Sequence, residues 1–408
     1  KAISNSLLFP ITSGLKDGKG SIFRFNLRNN YRIFARGRMC TRFFPILELM
    51  NNKKYWLLIG MLAIFALLIH LFSSGSARVE SYYSMGFYPY MGIFLRYLFA
   101  WIPFSFGDIV YGAAAIWLII GLARGIKAIF KKRPLFKGGG RQVQRSLIGL
   151  LFIYVLFNLF WGINYNRQGI AGQLGLSMEK YTVTELKMLN ALLLQKVNAS
   201  NIELSQKSPG EKTSREIFKQ SQEAYEVVNK QYAFLNYHPA SVKSSLWGWL
   251  GNYLGFMGYY NPFTGEAQVN TTIPKFLQPY TTCHEIAHQL GYAKENEANF
   301  VGYLAAASSK DASFHYSVYL DLFLYANRNL FETDSLSAKT FTKELSPAVK
   351  EDLKEWRRFS LSHKNPVEPV VRWMYGKYLE NNQQPSGVLT YDEVTGFLIA
   401  YYKKYGKL

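Results

Sequence analysis

Cysteine and histidine are both rare in this sequence, with two and six residues among 408. Cys40 and Cys283 provide no disulfide framework, which excludes a small disulfide-stabilised domain. Charged residues are also few, at 18% of the chain. With so few histidines, two of them placed close together are not expected by chance.

Acidic residues are outnumbered by basic ones, and the net charge is +20. Such an excess would ordinarily indicate a nucleic-acid or anionic-surface partner. Residues 1–49 and 124–145 together carry 15 of the 20 net charges, and neither segment has the pattern of a folded nucleic-acid module. We therefore expect no nucleic-acid partner and attribute the basic residues to membrane topology.

Three long apolar runs cover residues 56–72, 109–123 and 147–163. A helix of about 20 apolar residues crosses the bilayer core, so the runs predict three transmembrane helices with the lipid bilayer as a partner. Buried helices of a soluble core are the alternative, which these lengths disfavour. A fourth stretch, residues 88–106, contains Arg96 and Pro103 and predicts an interfacial or re-entrant segment.

The basic residues also predict the orientation of these helices. Lys53 and Lys54 precede the first run, and eight basic residues at 124–145 join the second run to the third. The positive-inside rule places both segments in the cytoplasm. Three crossings then leave the chain after Asn164 outside, as in a multi-pass protein of the bacterial cytoplasmic (inner) membrane.

The sequence therefore predicts a three-span anchor at residues 50–163 and one extracytoplasmic domain at residues 164–408. Met50 begins a short basic segment followed by an apolar run, which is typical of a natural start. Residues 1–49 are accordingly interpreted as a leader or a misassigned upstream extension.

The outer domain has mainly helical periodicity, so the expected fold class is mainly α with a small β element. Helices are predicted over residues 210–231, 314–329, 347–362, 366–380 and 391–405, and after Thr182 or Thr184 as a cap. A short strand is predicted near residues 267–272. The segment EAQVN at 266–270 is interpreted either as an edge strand that pairs with a peptide substrate or as an ordinary core strand.

The segment HEIAH at residues 284–288 carries the strongest chemical signal. On a helix, His284 and His288 share one face and can bind one Zn²⁺ ion, while Glu285 lies beside them and can take a proton from water. Gly291 can end this helix with a sharp turn.

A second helix follows, with Glu295 and Glu297 in its first turn, where the helix dipole favours acidic side chains. Either glutamate could be the third metal ligand, but the two point about 200° apart. Glu295 is favoured, because Asn299 lies one turn further on and could brace the site.

These residues resemble the gluzincin-type zinc metallopeptidases, whose second helix carries a motif similar to Glu295–Asn299. The segments WGINYNRQG, GYYNPFTGEAQVN, HEIAHQLGYAKENEANFVGYLAA and FHYSVYL resemble an uncharacterised bacterial membrane family, domain of unknown function 3810, over about 350 residues. The resemblance implies a three-span anchor and a zincin-like domain, with no known substrate. The six residues between His288 and Glu295 are fewer than thermolysin-like enzymes have.

The sequence thus predicts a membrane-anchored zinc metallohydrolase that cleaves a peptide or protein substrate by means of Glu285. The alternative is a non-catalytic membrane scaffold with a peptide-binding, zincin-like domain. Secondary hypotheses give Tyr316 either an oxyanion-binding or a structural role. Cys283 is interpreted as a buried structural residue in preference to a nucleophile, and structural or surface roles are also expected for His238, His315 and His363.

Overall fold

The computed structural model describes residues 52–130, 139–207 and 212–408. The hypothesis for residues 1–49 and the middle of the basic loop lie outside the described residues. The predicted class is confirmed in that the described chain is mainly helical with one small sheet. The helices, in chain order, are α1 (Asn52–Ser73), α2 (Tyr88–Phe99), α3 (Phe106–Phe130), α4 (Gly139–Phe160), α5 (Gly169–Leu174), α6 (Val183–Lys207), α7 (Ser214–Asn229), α8 (Gly248–Leu254), α9 (Gln278–Gln289), α10 (Glu295–Ala307), α11 (Ala312–Thr333), α12 (Ser335–Lys343), α13 (Pro347–Ser362), α14 (Glu368–Asn381) and α15 (Val394–Tyr405).

Three of these helices are long and apolar enough to cross a membrane: α1, the segment Phe106–Lys127 of α3, and the segment Gly140–Phe160 of α4. They correspond to the three predicted runs. The third ends earlier than residue 163 because the chain turns into a 3₁₀ helix at Gly162–Asn166. Few residues in their apolar windows are buried, and none in that of α3. A helix that is apolar on every face and whose side chains remain exposed is expected to be in contact with lipid.

Helices α1 and α4 pack along each other, and the π-helix Val79–Phe87 follows α1 after a single helical turn, Ser76–Arg78. Near the N-terminal ends of α1 and α4, Arg145 donates a hydrogen bond of 3.0 Å to the hydroxyl of Tyr55. The segment predicted to be interfacial contains α2, which buries Tyr88, Leu95 and Arg96. Its interfacial position stays a prediction.

The start of α3 is attached to the sheet of the outer domain. The backbone N–H groups of Phe106 and Gly107 donate to the carboxylate of Glu266, at 3.2 and 2.6 Å. Asp108, in the first turn of α3, accepts a 2.6 Å hydrogen bond from the backbone N–H of Leu246. An anionic side chain at a helix N-terminus satisfies its free N–H groups and interacts favourably with its dipole. The start of α3 is thus joined to the sheet by buried polar contacts.

The sheet has the strand order β1 (Val242–Ser244), β3 (Glu266–Val269), β2 (Gly258–Asn261). β1 runs parallel to β3, with Val242 opposite Ala267, and β2 runs antiparallel, with Tyr260 opposite Ala267. The predicted strand near residues 267–272 is therefore present but begins and ends earlier. The edge-strand hypothesis for residues 266–270 is wrong, because β3 is central and all four of its residues are buried. The core-strand alternative is correct.

The hydrophobic core of residues 164–408 surrounds α9 and α10. Every residue of α9 is buried, as are all residues of α10 except Asn296 and Ala307. Helix α11 lies against α6, and the apolar residues of α6, α7, α9, α10, α11 and α15 form one cluster. A helix that is buried all round must satisfy any polar side chain it carries from within the protein.

Several helix starts follow local sequence signals. Thr182, one of the two predicted caps, accepts a hydrogen bond from the N–H of Glu185, whose carboxylate accepts one from the N–H of Thr182. This is a capping box, and it begins α6 at Val183. The other predicted helices correspond to α7, α11, α13, α14 and α15, with ends that differ by a few residues.

Candidate metal centre

The centre is built on α9 and α10 and on the turn that joins them. Gly291 has a φ of +88°, which a glycine adopts without strain. A Cβ atom at this position would lie 2.9 Å from the ring of Tyr88 and 3.2 Å from the side-chain oxygen of Asn164. The predicted glycine turn is therefore confirmed, and both the backbone angle and the close packing require it. The turn directs α10 back past the face of α9 that carries the histidines.

His284, His288 and Glu295 come together in this arrangement. The Nε2 atoms of His284 and His288 lie 3.3 and 3.5 Å from Oε2 of Glu295. One potential ligand atom from each residue lies within 4.8 Å of the other two, and all three residues are buried. The two imidazole rings meet edge to face, with centroids 4.7 Å apart.

Glu297, the other candidate on α10, is placed elsewhere. Its Oε1 atom is 3.7 Å from Nζ of Lys294. Its carboxylate also lies against Gly169, where a Cβ atom would overlap with it. The structure brings Glu295 to the histidines and does not bring Glu297 there.

The hydrogen bonds around the cluster orient its side chains. Nδ1 of His288 lies 2.7 Å from the carbonyl oxygen of Tyr292. A carbonyl only accepts, so Nδ1 carries the proton, and Nε2 of the neutral ring presents its lone pair to Glu295. His284 makes a side-chain hydrogen bond with Asn299, the residue that the sequence suggested as a brace. Oε1 of Glu295 accepts a 2.6 Å hydrogen bond from the hydroxyl of Tyr375.

This donor set fits a divalent cation. Oε2 of Glu295 is buried and has no hydrogen-bond partner of regular geometry among the described residues, although the Nε2 atoms of both histidines lie 3.3 and 3.5 Å from it. A lone pair of His288 and a carboxylate oxygen would repel each other unless a proton or a cation lies between them. Two imidazole nitrogens and one carboxylate oxygen are a ligand combination of catalytic zinc sites.

Without a cation, the electrostatics favour one proton in the cluster. Burial lowers the pKa of His288, but the charge of Glu295 and its hydrogen bond outweigh burial and raise the pKa to about 9. Burial lowers the pKa of His284, and there the opposing effect of Glu295 is too small to reverse it. The pKa of Glu295 is raised by burial but lowered further by the two histidines, and ends well below its usual range. A buried anion therefore faces one cationic and one neutral imidazole.

Glu285 lies next to this cluster without joining it. It is 4% exposed, and its Oε2 atom has no hydrogen-bond partner among the residues described. Burial raises the pKa of Glu285 to about 8. A Cβ atom at Gly258 of β2 would lie 2.5 Å from Oε1 of Glu285, so only glycine fits there. A carboxyl group with a pKa near neutrality can both accept and donate a proton.

Several neighbours of the cluster had no local signal in the sequence. Tyr375 and Gln384, whose side-chain oxygen accepts a 2.8 Å hydrogen bond from the N–H of Glu295, are 80 or more residues away in the chain. Trp161, just after α4, donates to the carbonyl of His288 at 3.3 Å. Tyr88 donates to the carbonyl of Gln289 at 3.0 Å. The segment at the end of the third apolar helix thus contacts the end of α9, which carries the two histidines.

A second buried charged group supports the turn. Arg167 donates to the carbonyl of Gly291 at 3.1 Å, and its guanidinium carbon lies 4.5 Å from the ring centre of Tyr292. The same guanidinium forms an ion pair of 2.6 Å with Glu80 of the π-helix. The stretch WGINYNRQG, singled out in the sequence only for its resemblance, contains this arginine.

The remaining candidates lie outside the cluster. The hydroxyl of Tyr316 donates a hydrogen bond to the carboxylate of Asp352. This contact agrees with the structural role that was the alternative to oxyanion binding. Burial raises the pKa of Cys283 to about 12, so its thiol stays protonated and the structural interpretation is confirmed. His238, His315 and His363 also lie apart, and the rings of His315 and His363 contact backbone carbonyl oxygens at 2.7 and 2.8 Å.

Comparison with known proteins finds no match among curated proteins or solved structures. One family, described as "Protein of unknown function (DUF3810)", matches residues 83–399. The matched region extends from the π-helix to α15 and includes His284, Glu285, His288 and Glu295. It covers more than half of the chain, and the protein is accordingly a member of the DUF3810 family.

Proposed function

We propose that this protein is a membrane-anchored, zinc-dependent hydrolase that cleaves peptide bonds, with a zincin-like outer domain. The observation that carries the proposal is the buried cluster of His284, His288 and Glu295 beside the carboxyl group of Glu285, whose Oε2 atom has no partner among the described residues. The helix, glycine turn and second helix that hold these four side chains also support a zincin-like arrangement.

His284, His288 and Glu295 would hold the ion through two nitrogens and one oxygen. When bound, Zn²⁺ supplies Lewis-acid polarisation of a substrate carbonyl and lowers the pKa of a water molecule. Glu285 then takes a proton from the attacking water at its free oxygen and delivers it to the leaving nitrogen. Its raised pKa suits both transfers, because the group exchanges a proton near neutral pH. Tyr375 and Asn299 keep the ligands oriented through their hydrogen bonds.

The substrate peptide is expected to pair with β2. In the described sheet, β2 pairs only with β3 and is therefore an edge strand. Gly258, at the start of β2, lies directly against Glu285. A peptide that extends the sheet there would run past the carboxyl group, with main-chain hydrogen bonds providing affinity. The role that the sequence suggested for residues 266–270 is thus reassigned to β2.

Replacing Glu285 by glutamine tests the mechanism. Glu285→Gln keeps the size and polarity of the side chain, so zinc should stay bound, while hydrolysis of a mixed peptide library should fall at least about 100-fold. Glu297→Gln is the matched control, because it alters a buried glutamate outside the cluster and should retain most of the rate. An unchanged rate in zinc-loaded Glu285→Gln would remove Glu285 from the mechanism.

A non-catalytic scaffold is the second candidate. The observation that favours it is the restricted access to the cluster, because its three residues and Glu285 are only 4–8% exposed. A scaffold would bind peptides equally well with and without Glu285→Gln, and the same library would show no cleavage by the zinc-loaded protein. Zinc content and peptide cleavage, measured together, therefore separate the two functions.

The apolar helices support membrane association, and we propose a multi-pass topology in the bacterial cytoplasmic membrane. The C-terminal end of α4 and the N-terminal end of α3 both contact the outer domain. This is expected if α3 is the second crossing and α4 the third, because both of these ends then lie on the outer side of the membrane. Residues 124–145 would then be cytoplasmic and residues 164–408 extracytoplasmic.

Cysteine labelling of intact cells tests this topology. Lys219, whose side chain is 78% exposed, is a suitable position on α7. Lys219→Cys should react with a membrane-impermeant maleimide, whereas Lys132→Cys in the basic loop should react only after lysis. The opposite pattern would reverse the assignment.

A further inference from the structure

Two helices near the metal centre carry large apolar side chains that are exposed. On α8 these are Trp249, Leu250 and Tyr253, and Trp249 is 57% exposed. On α14 they are Val370, Trp373 and Met374, and Trp373 is 64% exposed. Positions 370, 373 and 374 lie within one arc of the helix. We name these six side chains the apolar face. Soluble domains rarely leave such a set uncovered.

The two helices are neighbours. The side-chain amide of Asn365, just before α14, donates to the carbonyl of Tyr253 at 2.7 Å. Phe256, after α8, meets Tyr375 of α14 edge to face, with ring centroids 5.7 Å apart. The apolar side chains of α8 and α14 therefore belong to one region of the outer domain.

This region is continuous with the second apolar helix, α3. The indole N–H of Trp247, just before α8, donates to the carbonyl of Asp108 at 3.1 Å. The indole also packs on Gly112, where a Cβ atom would lie 2.8 Å from it. Helix α8 of the apolar face thus adjoins the first turns of α3, and α14 lies beside α8.

The depth of these contacts indicates what covers the face. The apolar segment of α3 begins at Phe106, and Gly112 lies six residues further on, about 9 Å along the helix axis. If α3 crosses a bilayer, the side chains packed along its first 9 Å lie between the headgroups and the outer part of the acyl chains. Tryptophan and tyrosine are enriched at that level, because their rings are apolar and their N–H or O–H groups are polar.

We propose that the apolar face is immersed in the membrane leaflet next to the outer domain and that lipid covers it. The domain would then lie against the bilayer beside α3 as well as being attached through it. Because Tyr375 of the same α14 donates to Glu295, the immersed helix also forms one wall of the metal centre. A second copy of the chain or a protein partner is the competing occupant.

Fluorescence quenching by spin-labelled lipids tests the immersion without any measure of hydrolysis. The full-length chain with Cys40→Ser is reconstituted in nanodiscs, and an environment-sensitive dye is attached at Trp373→Cys. Cys283 is fully buried and should not react. Ile119→Cys, in the middle of α3, is the control for lipid contact, and Lys219→Cys on α7 is the control for water contact.

The dye at position 373 should lose most of its fluorescence when lipids carrying a nitroxide near the headgroup are included. The dye at position 119 should be quenched by lipids labelled deeper in the chain, and the dye at position 219 by neither. The proposal is overturned if position 373 behaves like position 219 while position 119 is quenched. It is also overturned if the dye at position 373 is quenched neither by labelled lipid nor by a water-soluble quencher, since another protein chain would then cover the face.

Discussion

Two groups of buried charged side chains contact the segment from His288 to Glu295, and they differ in how their hydrogen bonds are satisfied. In the first, Oε1 of Glu80 accepts from Arg167 and Gln173 at 2.6 and 2.9 Å. Its Oε2 accepts from Arg167 and from the N–H of Gly169 at 3.0 and 3.2 Å. Every oxygen of this carboxylate is used within the protein.

In the second group, Oε2 of Glu295 and Oε2 of Glu285 are buried without a donor among the described residues. Oε2 of Glu297 also lacks a partner among the described residues, so what distinguishes the second group is that two imidazole nitrogens lie within 3.5 Å of Glu295. This difference is the one expected between a structural ion pair and the proposed ligand site. The pKa values agree: the pKa of Glu80 is raised by burial but lowered further by Arg167, whereas burial raises that of Glu285 to about 8.

Breaking the satisfied group should have the largest effect on stability. Arg167→Met leaves the carboxylate of Glu80 buried and uncompensated, which should cost about 3–5 kcal/mol of unfolding free energy. Thermal unfolding in detergent measures this loss of stability. Arg358→Met, which breaks an ion pair between exposed side chains, is the control and should have only a small effect. Since the pKa of Glu80 is lowered, the contribution of the pair is present above pH 4.5 and is lost as the pH falls through the folded-state pKa. An unfolding temperature like that of Arg358→Met would show that the pair is not structural.

Breaking the unsatisfied group should remove the metal and leave the fold largely intact. Glu295→Ala deletes a proposed ligand and should weaken zinc binding by more than roughly 100-fold. That is the largest loss expected when a residue that is only hydrogen-bonded to a ligand is replaced. Glu297→Ala is the matched control on the same helix and should keep its zinc. The zinc stoichiometry of the purified proteins measures both. Full zinc in Glu295→Ala and none in Glu297→Ala would assign the third ligand to the wrong residue.

A smaller effect is expected at the hydrogen bond that Oε1 of Glu295 accepts from Tyr375. Tyr375→Phe removes the hydroxyl that donates to Oε1 and should weaken zinc affinity by about 10- to 100-fold. Competition with a chromogenic chelator measures the affinity. Tyr82→Phe, at an exposed position, is the control and should change nothing. Equal affinities in the two variants would show that Tyr375 does not support the ligand.

Much of the candidate site could be predicted from local sequence. Residues four apart on a helix share a face, so HEIAH was enough to place His284 next to His288. Gly291 follows from the need for a positive φ at the end of α9, and a cap at Thr182 or Thr184 from the start of the helical period. The three apolar helices follow from length and composition alone. All of these depend on side chains within a few turns of one another.

Tertiary structure decided the rest, because those contacts join segments that no short period relates. The sequence favoured Glu295 over Glu297, but only the packing of α10 on α9 placed its Oε2 atom near both imidazoles. β3 became the central strand because β1 and β2 pair on either side of it, which alternation within one strand does not reveal. Tyr375 and Arg167 approach the site from 80 and 124 residues away, as measured from Glu295 and Gly291. Their positions depend on how the chain buries its apolar surface as a whole.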